Sequence, residues 1–129
     1  MSAGIVNALT IDVEDYFQVS ALAPHFPRCD WEQTPCRVER NVERILALLD
    51  AHHTTATFFS LGWIAERYPL LVKRIAAAGH EIASHGYAHE RASAQTRETF
   101  LADIVLARAV LEDITGDPVS GYRAPARCR

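Results

Sequence analysis

Ile5-Val6-Asn7-Ala8-Leu9-Thr10-Ile11-Asp12-Val13 runs straight into Glu14 and Asp15. A stretch of β-branched and apolar residues that ends abruptly in acids reads as a buried strand delivering carboxylates at its C-terminal end. The pattern recurs along the chain. Val42, Ile45, Leu46 and Leu49 follow helical spacing within 38–51, and the β-branched and aromatic stretch 54–59, TTATFF, reads as a second buried strand before a break at Ser60-Leu61-Gly62. Pro69 opens a helix that runs into Gly79, a suitable C-terminal cap, and His80 to Ser84 reads as a short third strand. A long helix is expected from near Ser93 or Thr96 to Thr115, with Phe100, Leu101, Ile104, Val105, Leu111 and Ile114 as its buried stripe. Gly116 and Pro118 end it, and Val119 to Arg123 reads as a fourth strand. Strands alternating with helices predict an α/β fold of about four parallel strands with right-handed crossovers.

In such folds functional groups gather beyond the C-terminal ends of the strands. The acids after the first strand, the histidines after the third and Arg123 at the end of the fourth all belong there. Side chains two apart on a strand share a face, so Asp12 and Glu14 point together while Val13 points into the opposite layer. His85-Gly86-Tyr87-Ala88-His89 spaces two imidazoles four residues apart, which in a helical turn sets them within about 6 Å. Two imidazoles and one carboxylate make a three-ligand set for zinc or a similar divalent metal with a position left open, the ligand count of a catalytic site. Arg123, in a turn fixed by Pro125, can hold a carboxylate bidentately and so orient Asp12. The stretch His80-Glu81-Ile82-Ala83-Ser84-His85 has one residue too many for the HExxH of a zinc protease. Aperiodic aromatics and prolines between 15 and 36 predict a long ordered loop, equally suited to a sugar or to a core.

Composition narrows the field. With 129 residues, 49% apolar and 22% charged, the chain has the makeup of one globular domain. A net charge of −3 offers no basic face for nucleic acid. The N-terminus has neither the positive region nor the apolar stretch of a secretory signal, no apolar run is long enough to span a membrane, and a cytoplasmic location is expected. Cys29, Cys36 and Cys128 read as free thiols in preference to a Cys29–Cys36 disulfide.

Three motifs together resemble the polysaccharide deacetylase family, also called the NodB-homology domain or carbohydrate esterase family four. Thr10-Ile11-Asp12 resembles the family's TFDD, His85 to His89 its H[ST]xxH, and Arg123-Ala124-Pro125 its RxP. The resemblance implies a distorted (β/α) barrel of about seven strands and hydrolysis of the N-acetyl groups of an N-acetylhexosamine polysaccharide or oligosaccharide. It further implies a divalent metal, zinc or cobalt, on His85 and His89, with Asp12 as catalytic base and Arg123 positioning it. The oxyanion donor would follow Pro125, at the backbone of Ala126. Val13 replaces the usual second Asp, so the acidic ligand falls to Glu14 or Asp15, with strand alternation favouring Glu14. The variant Asp12-Val13-Glu14-Asp15-Tyr16-Phe17 looks like the subgroup tied to bacterial exopolysaccharide export. The family's late general-acid histidine has no counterpart before Arg129, so residues 1–129 are expected to form a truncated domain, metal-competent but nearly inactive. A non-catalytic metal- or glycan-binding remnant and a small-amide hydrolase are the rival expectations.

Overall fold

The computed structural model describes residues 4–125. Three strands, β1 (Thr10–Val13), β2 (Thr57–Ser60) and β3 (Glu81–Ser84), pair in parallel in the order β1-β2-β3. Between β1 and β2 lies helix α1 (Val38–Ala51); between β2 and β3 lie α2 (Gly62–Arg67) and α3 (Pro69–Ala77); α4 (Arg97–Thr115) follows β3. Parallel strands need crossovers of this kind, and the helices cover one face of the sheet with Phe58, Leu61, Ile64, Val72, Ile75 and Leu111 at or near zero exposure.

The strands are shorter than the sequence suggests. Ile5 and Val6 stand almost fully exposed, because β2 offers backbone partners only from Leu9 onward. The expected fourth strand is reduced to one parallel bridge, Ser84 with Tyr122, made by Ser84 N–H to Gly121 O (2.8 Å) and Arg123 N–H to Ser84 O (2.9 Å). Helix α1 matches its reading, and α4 begins where Thr96 caps it by accepting from Thr99 N–H and ends on Gly116 at φ 75°. The stripe assigned to α4 is right only in part. Leu111 is fully buried and Ile114 packs partly buried against the core, but Leu101 and Val105 are exposed and Ala107 is buried, since apolar residues surround this helix and leave its inward face undecided by period alone.

Residues 15–36 form a loop of three short 3-10 turns whose aromatic side chains belong to the core. Phe17 is fully buried and meets Trp31, Trp63 and Tyr16 edge-on, with centroids 5.4 to 5.9 Å apart. Trp31 and Trp63 also meet edge-on at 5.5 Å. Cys29 and Cys36 are free thiols, and Cys128 lies outside the described residues. No helix among the described residues is long and apolar enough to cross a membrane.

Candidate metal centre

Asp12 and Glu14 emerge on one side of β1 while Val13, at 1% exposure, enters the core, as strand alternation requires. Asp15 turns elsewhere. Its carboxylate accepts from Tyr16 N–H (2.9 Å), Arg37 N–H (2.6 Å) and Val38 N–H (2.9 Å), capping both the first 3-10 turn and the N-terminus of α1. Those amides have no intrahelical partner, and the positive end of the helix dipole favours the charge. Glu14 is therefore the carboxylate from this segment that stands free to meet the histidines.

His85 follows β3 directly and donates its own N–H to Ser60 O (3.0 Å). Its Nδ1 lies 2.8 Å from the Arg123 carbonyl, which can only accept, so Nδ1 carries the proton and Nε2 keeps its lone pair in the neutral ring. His89 is brought alongside by an irregular turn. Gly86 sits at φ 77° and His89 at φ 55°, and the ring centroids lie 5.1 Å apart. The expected helical turn is absent because the loop's own carbonyls are claimed from outside. Gly62 N–H donates to Gly86 O and Trp63 N–H to Tyr87 O, both at 2.9 Å, so the N-terminus of α2 seals the loop. From the other side the Asp103 carboxylate accepts from Tyr87 N–H at 3.2 Å and fills the space where a Gly86 Cβ would stand, 2.9 Å from Oδ2. Burial pushes the Asp103 carboxyl up, opposed by the Tyr87 amide.

These constraints place one ligand atom each of Glu14, His85 and His89 within 4.8 Å of one another. Glu14 Oε2 is 2.9 Å from His89 Nε2 and 3.6 Å from His85 Nε2, yet it is buried and makes no hydrogen bond of acceptable geometry. Lone-pair atoms that converge without bonding one another are the arrangement a cation requires, and the nitrogen, nitrogen and oxygen donor set suits a borderline divalent ion. Burial alone would raise the Glu14 carboxyl, but without an ion the two imidazoles, when protonated, outweigh it by N–H donation and positive charge and hold it at about 2, so the group is anionic. Desolvation works to lower His85 in turn, and the Glu14 carboxylate, the Arg123 carbonyl and Asp12 together move it upward.

Asp12 stands beside this cluster, with Oδ2 at 3.9 Å from His85 Nε2. Arg123 holds its other oxygen at 2.6 Å through Nη1 and reaches Thr10 Oγ1 at 2.8 Å through Nη2, while its guanidinium carbon lies 4.2 Å from the centroid of the Phe59 ring. Pro125 is fully buried just beyond, and Ala126 lies outside the described residues. Asp12, Glu14, His85, His89 and Arg123 line one cavity of about 770 Å³ together with Thr10, Val19, Ser20 and Ala124. Sequence reasoning missed Asp103, whose signal was an acid inside the apolar run Phe100 to Val105, and the sealing role of α2.

A parallel α/β layer with a two-histidine, one-carboxylate cluster at the C-terminal ends of its strands defines a candidate metal-dependent enzyme of the α/β class. The family model for polysaccharide deacetylase matches residues 30–128, and the chain belongs to that family. The matched region contains His85, His89 and Arg123 and begins after Asp12 and Glu14. Peptidoglycan deacetylase of Helicobacter pylori is 36% identical over 87 residues, which are 67% of this chain and 30% of that protein. Chitooligosaccharide deacetylase of Sinorhizobium fredii is 35% identical over 82 residues, 63% of this chain and 38% of that one. A Mycobacterium smegmatis crystal structure assigned to a polysaccharide deacetylase superposes on 92% of this chain and 42% of its own, with a TM-score of 0.74 and 33% identity. The chain thus spans well under half the length of these relatives.

Proposed function

We propose that this chain carries the metal centre and base of an N-deacetylase acting on N-acetylhexosamine polymers, with Glu14, His85 and His89 holding a zinc or similar divalent ion. The convergence of three ligand atoms within 4.8 Å carries the reading. Family membership supports amide hydrolysis on a sugar, since the relatives are named for peptidoglycan and chitooligosaccharide substrates. In the same reading the three strands form the first part of a distorted barrel of about seven, with the Ser84–Tyr122 bridge as its continuation.

A divalent ion bound there supplies Lewis-acid chemistry, polarising an acetamide carbonyl and acidifying water. The remaining work falls to side chains. Asp12 takes the proton from the attacking water, and Arg123 fixes its orientation through the 2.6 Å contact. His85 is locked in its useful tautomer by the Arg123 carbonyl, so one residue serves the base with its side chain and the ligand with its backbone. The backbone beyond Pro125, at Ala126, is the donor assigned to the developing oxyanion.

The test is amine release from N-acetylated chitooligosaccharide with zinc or cobalt supplied. Activity that Asp12→Asn lowers by about 10² to 10⁴, with metal still bound, supports the reading. Metal binding without turnover at any metal level would leave a binding remnant in place of an enzyme.

A further inference from the structure

A second groove, of about 500 Å³, adjoins the metal cavity and shares Ser20 and His89 with it. Its walls are the 15–36 loop on one side, with Gln18, Arg28 and Trp31, and the segment after His89 on the other, with Arg91. A polymer whose reacting sugar sits at the metal centre would therefore run its neighbouring unit into this groove. The chain as a whole is acidic, yet no Asp or Glu is among the groove's lining residues, and two guanidiniums are. Arg28 stacks on Trp31 at 4.9 Å, with Glu32 only 3.9 Å away as a loose partner. Arg91 contacts Ser20 Oγ through Nε at 3.5 Å, and its two amino groups make no hydrogen bond or ion pair among the described residues. The buried Gln18 adds a side-chain amide nitrogen without an acceptor. Donors in surplus, aromatic and apolar walls and no competing carboxylate suit a sugar that carries an anionic group.

We propose that this groove is a subsite for a carboxylate-bearing sugar, a uronic acid or a lactyl-ether sugar, adjacent to the N-acetylated unit at the metal centre. It rests on the deacetylase reading only for which unit occupies the neighbouring cavity. Arg91 supplies the discriminating charge, and Arg28, laid over the buried Trp31 ring, supplies the surface against which the sugar packs.

The test measures binding to the whole chain, without metal and without turnover. Amide chemical-shift titrations compare glucuronosyl-N-acetylglucosamine with its neutral glucosyl counterpart at low and high salt. The anionic disaccharide should bind about fivefold tighter at low salt, shifting the amides of Gln18, Ser20 and Arg91, and added salt should erase most of that preference. Arg91→Ala should bring the two ligands to parity and Arg91→Glu should reverse their order, with unchanged spectra elsewhere showing that the variants fold. Equal binding by the wild-type chain, or a preference that survives Arg91→Ala, overturns the proposal. A chain that shows the preference and yet releases no acetate with metal supplied keeps the subsite and loses the deacetylase reading. A chain that deacetylates but binds both disaccharides alike does the reverse.

Discussion

The two ends of the sheet carry similar side chains arranged to opposite effect. At the C-terminal ends of the strands stand Asp12, Glu14, His85 and His89 with Arg123. At the N-terminal ends, a cavity of about 620 Å³ is lined by Glu43, Asp50, His53 and His80 with Arg74. Each end thus has two acids, two imidazoles and one guanidinium. At the lower end Asp50 and His53 are exposed to water and the other groups are met locally. Glu43 pairs with Arg74, and His80 Nδ1 accepts the Ala56 N–H at 3.2 Å with its ring packed 5.0 Å from Phe58. At the upper end Glu14 Oε2 and His89 Nδ1 are buried without hydrogen-bond partners, and three ligand atoms face a common point. Composition does not make a site; unsatisfied convergence does, and it is held in place at a cost the rest of the fold must offset.

The difference is broken most directly by removing imidazoles one at a time. His85→Ala should weaken zinc binding by more than about 100-fold, beyond what loss of an outer partner costs, whereas His53→Ala and His80→Ala should leave one ion per chain at unchanged affinity. Isothermal titration with metal content by mass spectrometry reads both. If His80→Ala also released the ion, the contrast between the two ends would collapse.

Asp103→Ala attacks the upper end without touching a ligand. It frees the Tyr87 amide and unpins the turn that presents His89, so metal affinity should fall by about tenfold and stability by about 1–3 kcal/mol in chemical denaturation. Asp103→Asn keeps an oxygen acceptor and should recover much of the stability. A wild-type zinc affinity in Asp103→Ala would show that the loop holds its shape through α2 alone.

Glycines at the two ends give a finer comparison. Gly86 and Gly79 both adopt left-handed backbone, at φ 77° and 89°, but an added Cβ meets Asp103 Oδ2 at 2.9 Å in the first case and open space in the second. Gly79→Ala should therefore cost about 1 kcal/mol of backbone strain, and Gly86→Ala about 1–3 kcal/mol, with weakened metal binding in addition. Thermal unfolding with and without zinc separates them.

The upper site was more legible than the machinery that shapes it. Strand alternation placed Asp12 and Glu14 together because a two-residue period needs no tertiary information. The spacing of His85 and His89 suggested proximity for the wrong reason, a helical turn, where the observed turn depends on amides from Gly62 and Trp63. Helix α2 itself was invisible as a period. Gly62 to Ala65 are all buried and only Glu66 and Arg67 reach solvent, so this short helix shows no period and reads as a break at Ser60-Leu61-Gly62. Asp15 was ambiguous for a related reason: its local capping box with Gln18 accounts for only part of its role, and its two other partners, the amides of Arg37 and Val38, lie 22 and 23 residues away. The expectation for α4 held at Leu111 and failed at Leu101 and Val105, where apolar residues lie on too many sides for spacing to choose a face.

The smallest expected effect comes from comparing arginines. Arg74 and Arg123 each grip a carboxylate, and both pairs are more than a third exposed on the arginine side, where water screens the attraction. Removing either guanidinium should change stability by less than about 1 kcal/mol. The consequences then part company. Arg74→Ala leaves Glu43 in solvent with nothing further depending on it. Arg123→Ala leaves Thr10 and Asp12 unheld above the candidate metal centre, yet the backbone carbonyl of position 123 still fixes His85, so zinc affinity should stay near wild type while hydrolysis falls. Arg123→Lys keeps the charge but loses the two-pronged grip on Asp12 and Thr10, so it should restore stability more fully than rate. A rate in Arg123→Ala equal to that of Arg74→Ala would mean that Asp12 needs no positioning, and the two ends of the sheet would differ in their ligands alone.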